Sequence, residues 1–164
     1  MMSRSSVLAI GLAAVLSVVL GIGLFDVSAQ AKDPRVGNWK LNVAKSKYSP
    51  GPAPQSQTLK IEAVGKGEKV TSEVVNTDGT KATTQYTANF DGKNSPITGS
   101  PNADTVALKR IDSRTTERTD KKDGKVTLVL RRVVSQDGKT MTVTVKGKNA
   151  KGETVNNVVV FEKS

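Results

Sequence analysis

Val126-Thr127-Leu128-Val129-Leu130-Arg131-Arg132-Val133-Val134-Ser135 is followed by Gln136-Asp137-Gly138-Lys139 and then by Thr140-Met141-Thr142-Val143-Thr144-Val145. Reading this stretch decides the fold. In its second half Met141, Val143 and Val145 alternate with Thr140, Thr142 and Thr144, the period of two that a strand shows when one face is buried. The first half is the most hydrophobic run after residue 31. Asp137-Gly138 between them supplies the left-handed backbone of a tight hairpin turn. Two antiparallel strands follow.

The same grammar extends in both directions. Asp-Gly recurs at Asp78-Gly79, Asp91-Gly92 and Asp123-Gly124. Between these turns the sequence predicts strands at Thr58–Val64, Val70–Asn76, Lys81–Phe90, Thr105–Asp112 and Arg114–Asp120, with Val155–Lys163 closing the chain. Leu59, Ile61 and Ala63 share one face, as do Ala82, Thr84, Tyr86, Ala88 and Phe90. Asn94–Asn102 contains Pro96, Gly99 and Pro101, so only a short edge segment is expected there. Arg114–Asp120 has no apolar residue on either face and reads as an exposed strand. Connections are short and no long helical period appears after residue 31. About nine or ten short strands in one up-and-down series close best as a barrel, because closure removes exposed edges. A β-sandwich is the alternative, with only Ser49-Pro50-Gly51-Pro52-Ala53-Pro54 as a candidate crossover.

Upstream lies Val36-Gly37-Asn38-Trp39-Lys40-Leu41, which holds the chain's single tryptophan. A large aromatic buries much apolar area, and its N–H seeks an acceptor when buried. Gly37 and Trp39 are therefore candidates for a plug at one end of the barrel, against the plainer reading of Trp39 as a core residue of strand one. Val43–Tyr48 fits one helical turn capped by Asn42.

Residues 1–31 read as a signal peptide. Arg4 precedes the uncharged, mostly apolar run Val7–Phe25, and Ala29-Gln30-Ala31 has the small-residue pattern of a cleavage site. Cleavage is expected before Lys32, giving a periplasmic or secreted single domain of residues 32–164 with no stable membrane span. An uncleaved N-terminal membrane anchor is the alternative. Arg4 and Asp26 would leave together, so the net charge of +10 is unchanged. Lys109–Arg132 carries nine basic residues against four acidic, a net of +5. If an anionic envelope surface or polymer binds, it should bind there. The aromatics that typify single-strand nucleic-acid grooves are missing from this segment, and no specific nucleic acid is expected.

Gly37-Asn38-Trp39 resembles the Gly-x-Trp signature of lipocalins and fatty-acid-binding proteins, the calycin barrels. Ser135–Val143 is similar to the penultimate hairpin of such barrels, and Val158-Val159-Val160-Phe161-Glu162-Lys163 to their closing strand. The chain after residue 31 also resembles a group of small bacterial secreted proteins with lipocalin-like domains. The resemblance implies an all-β, antiparallel up-and-down barrel. Two departures limit it. Only Val43–Pro54 occupies the interval where fatty-acid-binding proteins insert a two-helix lid, and Val159 and Phe161 stand where many of them carry an Arg-x-Tyr pair for a carboxylate. The fold is implied, and fatty-acid binding is not.

Composition narrows the chemistry. The chain has no histidine and no cysteine, so histidine-based triads, thiol nucleophiles and His- or Cys-ligated metals are excluded. Asp112, Glu117, Asp120 and Asp123 lack calcium-loop spacing and are interleaved with Arg114, Arg118, Lys121 and Lys122. No cofactor or metal is expected. Arginines in the inward phase remain. If Val106 and Leu108 face inward, so does Arg110; if Val126, Leu128 and Leu130 do, so does Arg132. A buried guanidinium needs a carboxylate, an anion or water. Arg110 and Arg132 are therefore candidates to hold an anionic ligand group, with Tyr86 as a phenolic donor. The alternative is that they reach the barrel mouth or pair with Glu117. The expected wall is Ile61, Val74, Tyr86, Val106, Leu128, Leu130, Met141, Val143 and Phe161.

The function expected is non-catalytic binding of a small hydrophobic or amphiphilic ligand. The alternatives are a cationic envelope protein binding anionic polymers or lipid head groups, a ligand-free scaffold, and, least supported, a barrel enzyme using arginine and carboxylates.

Overall fold

The computed structural model describes residues 32–164; the expected leader, its cleavage site and the alternative anchor lie outside the described residues. The strands are β1 Gly37–Leu41, β2 Ser56–Val64, β3 Gly67–Val75, β4 Lys81–Asn89, β5 Asp91–Thr98, β6 Thr105–Arg110, β7 Thr115–Lys122, β8 Lys125–Val134, β9 Thr140–Lys148 and β10 Thr154–Lys163. Each pairs antiparallel with its successor, and β10 pairs with β1 through Trp39 opposite Lys163 and Leu41 opposite Phe161. The result is the closed up-and-down barrel, not the sandwich. The deciding hairpin forms as expected: Val134 sits opposite Met141 and Arg132 opposite Val143, and Gly138 takes φ 71° in the turn.

Alternation sorts the residues. Trp39, Leu41, Ile61, Val70, Tyr86, Val106, Leu108, Val134, Met141 and Phe161 are buried in one core. Each large apolar side chain so buried contributes about 1.5–3 kcal/mol. Between β1 and β2 lies a 3-10 turn, Val43–Lys45, whose capping residue Asn42 accepts the Lys45 N–H at 3.0 Å. The segment behind it is strapped to β10 by reciprocal Lys47–Val158 backbone bonds and by Asn156 N–H to Ser49 O, 2.7 Å.

The sequence pattern misled in three places. Asp91-Gly92 is not a tight hairpin turn. β4 and β5 pair only at Gln85–Thr98 and Tyr86–Ile97, and the ladder stops at Pro96, which has no N–H to offer. β5 instead runs with β6 from Asp91 onward. Val126 is exposed rather than inward, because the β7–β8 register shifts at Asp120/Lys121 and the extra residue, Thr127, reverses the phase. Thr127 Oγ1 bonds the carbonyls of Asn102 and Asp120. Gly147 on β9 makes room for this bulge: a Cβ there would lie 2.0 Å from the Thr127 carbonyl oxygen. Finally, β7 is not an exposed strand. Thr116 and Asp120 are buried, and Arg118 lies opposite Leu130 on the inward face.

Candidate functional site

The strand directions give the barrel two ends. One gathers the starts of β1, β3, β5, β7 and β9; the other gathers their ends, together with the proline loop 49–54.

The first end is plugged. Trp39 is fully buried, and its indole N–H donates to the backbone oxygen of Arg35 at 2.8 Å. Gly37 takes φ 134°, with Lys163 packed against it and lying over the Trp39 ring. Arg35 is buried and stacks on Phe90, its guanidinium 4.7 Å from the ring centroid. It bonds Asp33 on the solvent side and donates from Nη1 to Glu68 Oε2 at 3.1 Å on the inner side. Glu68 Oε1 in turn accepts from Arg132 Nη1 at 2.8 Å and from the Tyr86 hydroxyl at 2.8 Å. Arg132 Nη2 also bonds the Tyr86 oxygen. A chain of alternating charge thus runs from Asp33 through Arg35 and Glu68 to Arg132. Burial alone pushes the Glu68 carboxyl up, but Arg132, Tyr86 and Arg35 outweigh it and hold it below the usual range, ionised at neutral pH. Burial likewise pushes Tyr86 up, so its phenol stays protonated.

Beyond this floor lies a cavity of about 200 Å³. Its two sides differ. Leu59, Leu130, Val143, Val145, Val159 and Phe161 make an apolar wall on β2 and β8–β10. Ser72, Thr84, Tyr86, Arg118 and Arg132 make a polar one. Arg118 is held by Asp120, Nε to Oδ1 at 2.7 Å, and its guanidinium stands 5.2 Å from the Tyr86 ring centroid. Neither Asp120 nor Glu68 reaches the wall, so the charges facing the cavity are both positive. Tyr48, Gln57 and Asn157 border the second end. Asn157 Oδ1 accepts the Ser49 N–H at 2.8 Å. The buried Tyr48 hydroxyl has no partner, and its pKa is pushed up to about 12 by burial. Tyr48 and Gln57 also border a rim hollow beside Pro52, Pro54 and Val74.

Among the expected binding residues, Arg132, Tyr86, Leu130 and Phe161 line the cavity, as does Val143. Arg110 does not. It keeps the inward phase but sits at the last position of β6, so its side chain leaves through the plugged end. There it bonds Asp33 at 3.0 Å, stacks on Phe90 and is 40% exposed. Leu128 and Met141 are buried away from the cavity, Met141 in the packed core. Ile61 and Val106 also fill that core, while Val74 stands at the rim. Arg132 takes Glu68, not Glu117, because Glu117 lies on the opposite face of β7, across from Lys109 and Arg131. The residues missed were Arg35, Tyr48, Glu68 and Arg118. Among the described residues, no three carboxylates converge to hold a metal ion, and no helix is long and apolar enough to cross a membrane.

No protein-family model and no curated protein sequence matches the chain. Among solved structures, the zebrafish ileal bile acid-binding protein, crystallised with cholic acid, is similar at 12% identity and a TM-score of 0.49. The match covers 80% of this chain and 99% of that one.

Proposed function

We propose that the protein is a non-catalytic carrier or receptor for a small amphiphile with an acidic head, acting in the periplasm or outside the cell after cleavage before Lys32. The observation that carries this reading is the two-sided cavity: Leu, Val and Phe on one wall, Arg118, Arg132 and Tyr86 on the other, and no carboxylate facing in. Such sites combine apolar area for affinity with a few placed polar groups for orientation. The head lies against Arg118 and Arg132, and the apolar part extends toward Tyr48 and the rim. Its size supports a compact ligand, since about 200 Å³ is below the roughly 300–1,000 Å³ of sites for drug-sized molecules.

Isothermal titration of the full chain with octanoate tests this. Saturable binding is expected, weakened roughly tenfold or more by Arg118→Met, which removes a charge-assisted contact. Absence of binding by short- and medium-chain acids alike would leave the barrel a scaffold. Octanoate binding that Arg118→Met does not change would move the head elsewhere.

A further inference from the structure

Glu68 is one carboxylate between two buried guanidinium groups. Arg132 and Tyr86 hold Oε1, and Arg35 holds Oε2. Arg35 is divided in the same way, between Glu68 and Asp33, and Asp33 between Arg35 and Arg110. The sequence of charges from solvent to cavity is therefore Arg110, Asp33, Arg35, Glu68, Arg132. Only the last of these touches the cavity. Because Glu68 is shared, Arg132 is not fully neutralised where it faces the ligand.

We propose that Arg35, a residue outside the cavity, sets its preference for acids, by drawing on the Glu68 charge that would otherwise neutralise Arg132; this rests on the acidic-ligand reading above. Arg35 is a positioning residue in this scheme, and Asp33 is its counterweight. Neutralising Arg35 gives Glu68 wholly to Arg132 and subtracts one positive charge behind the floor. Both effects disfavour an anion in the cavity. Neutralising Asp33 turns Arg35 wholly toward Glu68 and adds one net positive charge. Both effects favour the anion. In this dry interior, with Arg35 and Glu68 each 2% exposed, water screens little of the change. A neutral ligand of the same shape responds much less to either substitution, because it offers a dipole and not a net charge.

The experiment compares octanoate with octanamide, the same chain with and without the charge, by calorimetric titration of the full-length protein. Wild type, Arg35→Met and Asp33→Asn are measured at neutral pH. Methionine keeps an unbranched apolar stem under Phe90. The ratio of octanoate to octanamide affinity is expected to fall roughly tenfold in Arg35→Met, within the range usual for coupled sites, and to rise in Asp33→Asn. Octanamide affinity should be nearly constant throughout. If Arg35→Met does not fold, the rise in Asp33→Asn alone decides, because Asp33 is partly exposed and its loss uncovers no cavity. Wild-type protein that binds octanoate no better than octanamide removes the acidic-ligand reading, and this inference with it. Wild-type protein that prefers octanoate, with a ratio that neither substitution moves in the stated direction, overturns the role of Arg35 and leaves the acidic-ligand reading standing.

Discussion

At one end of the barrel Asp33, Arg35, Glu68, Arg132 and Tyr86 interlock behind Trp39, and each of these four charged groups has an opposite in contact. At the other end Tyr48 and Asn157 border a hollow, and the Tyr48 hydroxyl meets no acceptor. The same kind of strand builds both ends. The difference lies in what the inward phase carries. At the plugged end long side chains reach across the lumen and bond one another. Toward the open end the inward residues, among them Ser72, Thr84 and Val145, are mostly too short to meet in the middle. Stability should therefore concentrate at the first end, leaving the second free to admit a ligand.

The strongest way to break this contrast is Glu68→Leu. It leaves Arg35 and Arg132 buried with no carboxylate between them, and breaking a buried pair costs about 3–5 kcal/mol. Denaturant unfolding should show a loss of that size. The triple substitution Arg35→Met, Glu68→Leu, Arg132→Met should recover most of it, since apolar replacements of a whole buried network are often neutral. A triple variant no better than the single would mean that Glu68 acts through something other than its charge.

Acid should reach the same weak point without mutation. Glu68 titrates below its ordinary range in the folded chain, so the stability it contributes is fully present above the ordinary Glu value of ~4.3 and is lost as pH falls below it. Asp33 adds in the same direction: burial raises its carboxyl, but its bonds to Arg35 and Arg110 outweigh this and lower it. Urea midpoints measured from neutral pH down to pH 3 should fall steeply in wild type and less steeply in Glu68→Gln. Parallel slopes would exclude Glu68 as the acid-sensitive group.

Trp39→Phe tests the plug with a smaller effect. It keeps an aromatic ring but leaves the Arg35 carbonyl without its donor, at a cost of about 1–3 kcal/mol for an orphaned buried acceptor. Equal stability would show that the 2.8 Å indole bond adds nothing to ring burial.

The barrel was legible in the sequence because strand alternation and Asp-Gly turns are local signals. The Val126–Val145 hairpin alone carries both. The inner network was less so. Arg132 and Tyr86 could be found by phase, because each sits two residues from an apolar neighbour on its strand. Glu68 follows directly on the Gly65-Lys66-Gly67 turn amid charged residues; Val70, two residues on, shares its buried phase, but the strand expected from the sequence starts only at Val70 and leaves Glu68 with the turn. Its partners are distant: Arg35 is 33 residues away and Arg132 is 64. Arg118 was hidden because β7 has no apolar residue. The usable signal was its position, since a strand between β6 and β8 must present one face to the lumen whatever its composition. Arg110 failed for the opposite reason: phase gives direction, not depth, and at the last residue of β6 the same direction leads out of the barrel.

The smallest effect sharpens the contrast most, because it compares two tyrosines in one cavity. Tyr86 has both hydroxyl functions in use, donating to Glu68 and accepting from Arg132. Its replacement by Phe should cost about 1–3 kcal/mol by leaving charged neighbours short of a partner. Tyr48 is a half-buried ring on the cavity wall with a buried hydroxyl, but its oxygen makes no bond. Desolvation without compensation is a penalty, and removing it is neutral or favourable. Tyr48→Phe should therefore change stability by less than about 0.5 kcal/mol, the range of substitutions that touch no key feature, or raise it slightly. Unfolding midpoints of the two Phe variants, measured side by side without ligand, decide the matter. If Tyr48→Phe costs as much as Tyr86→Phe, the open end is as tightly bonded as the plugged one, and the division of labour between the ends does not hold.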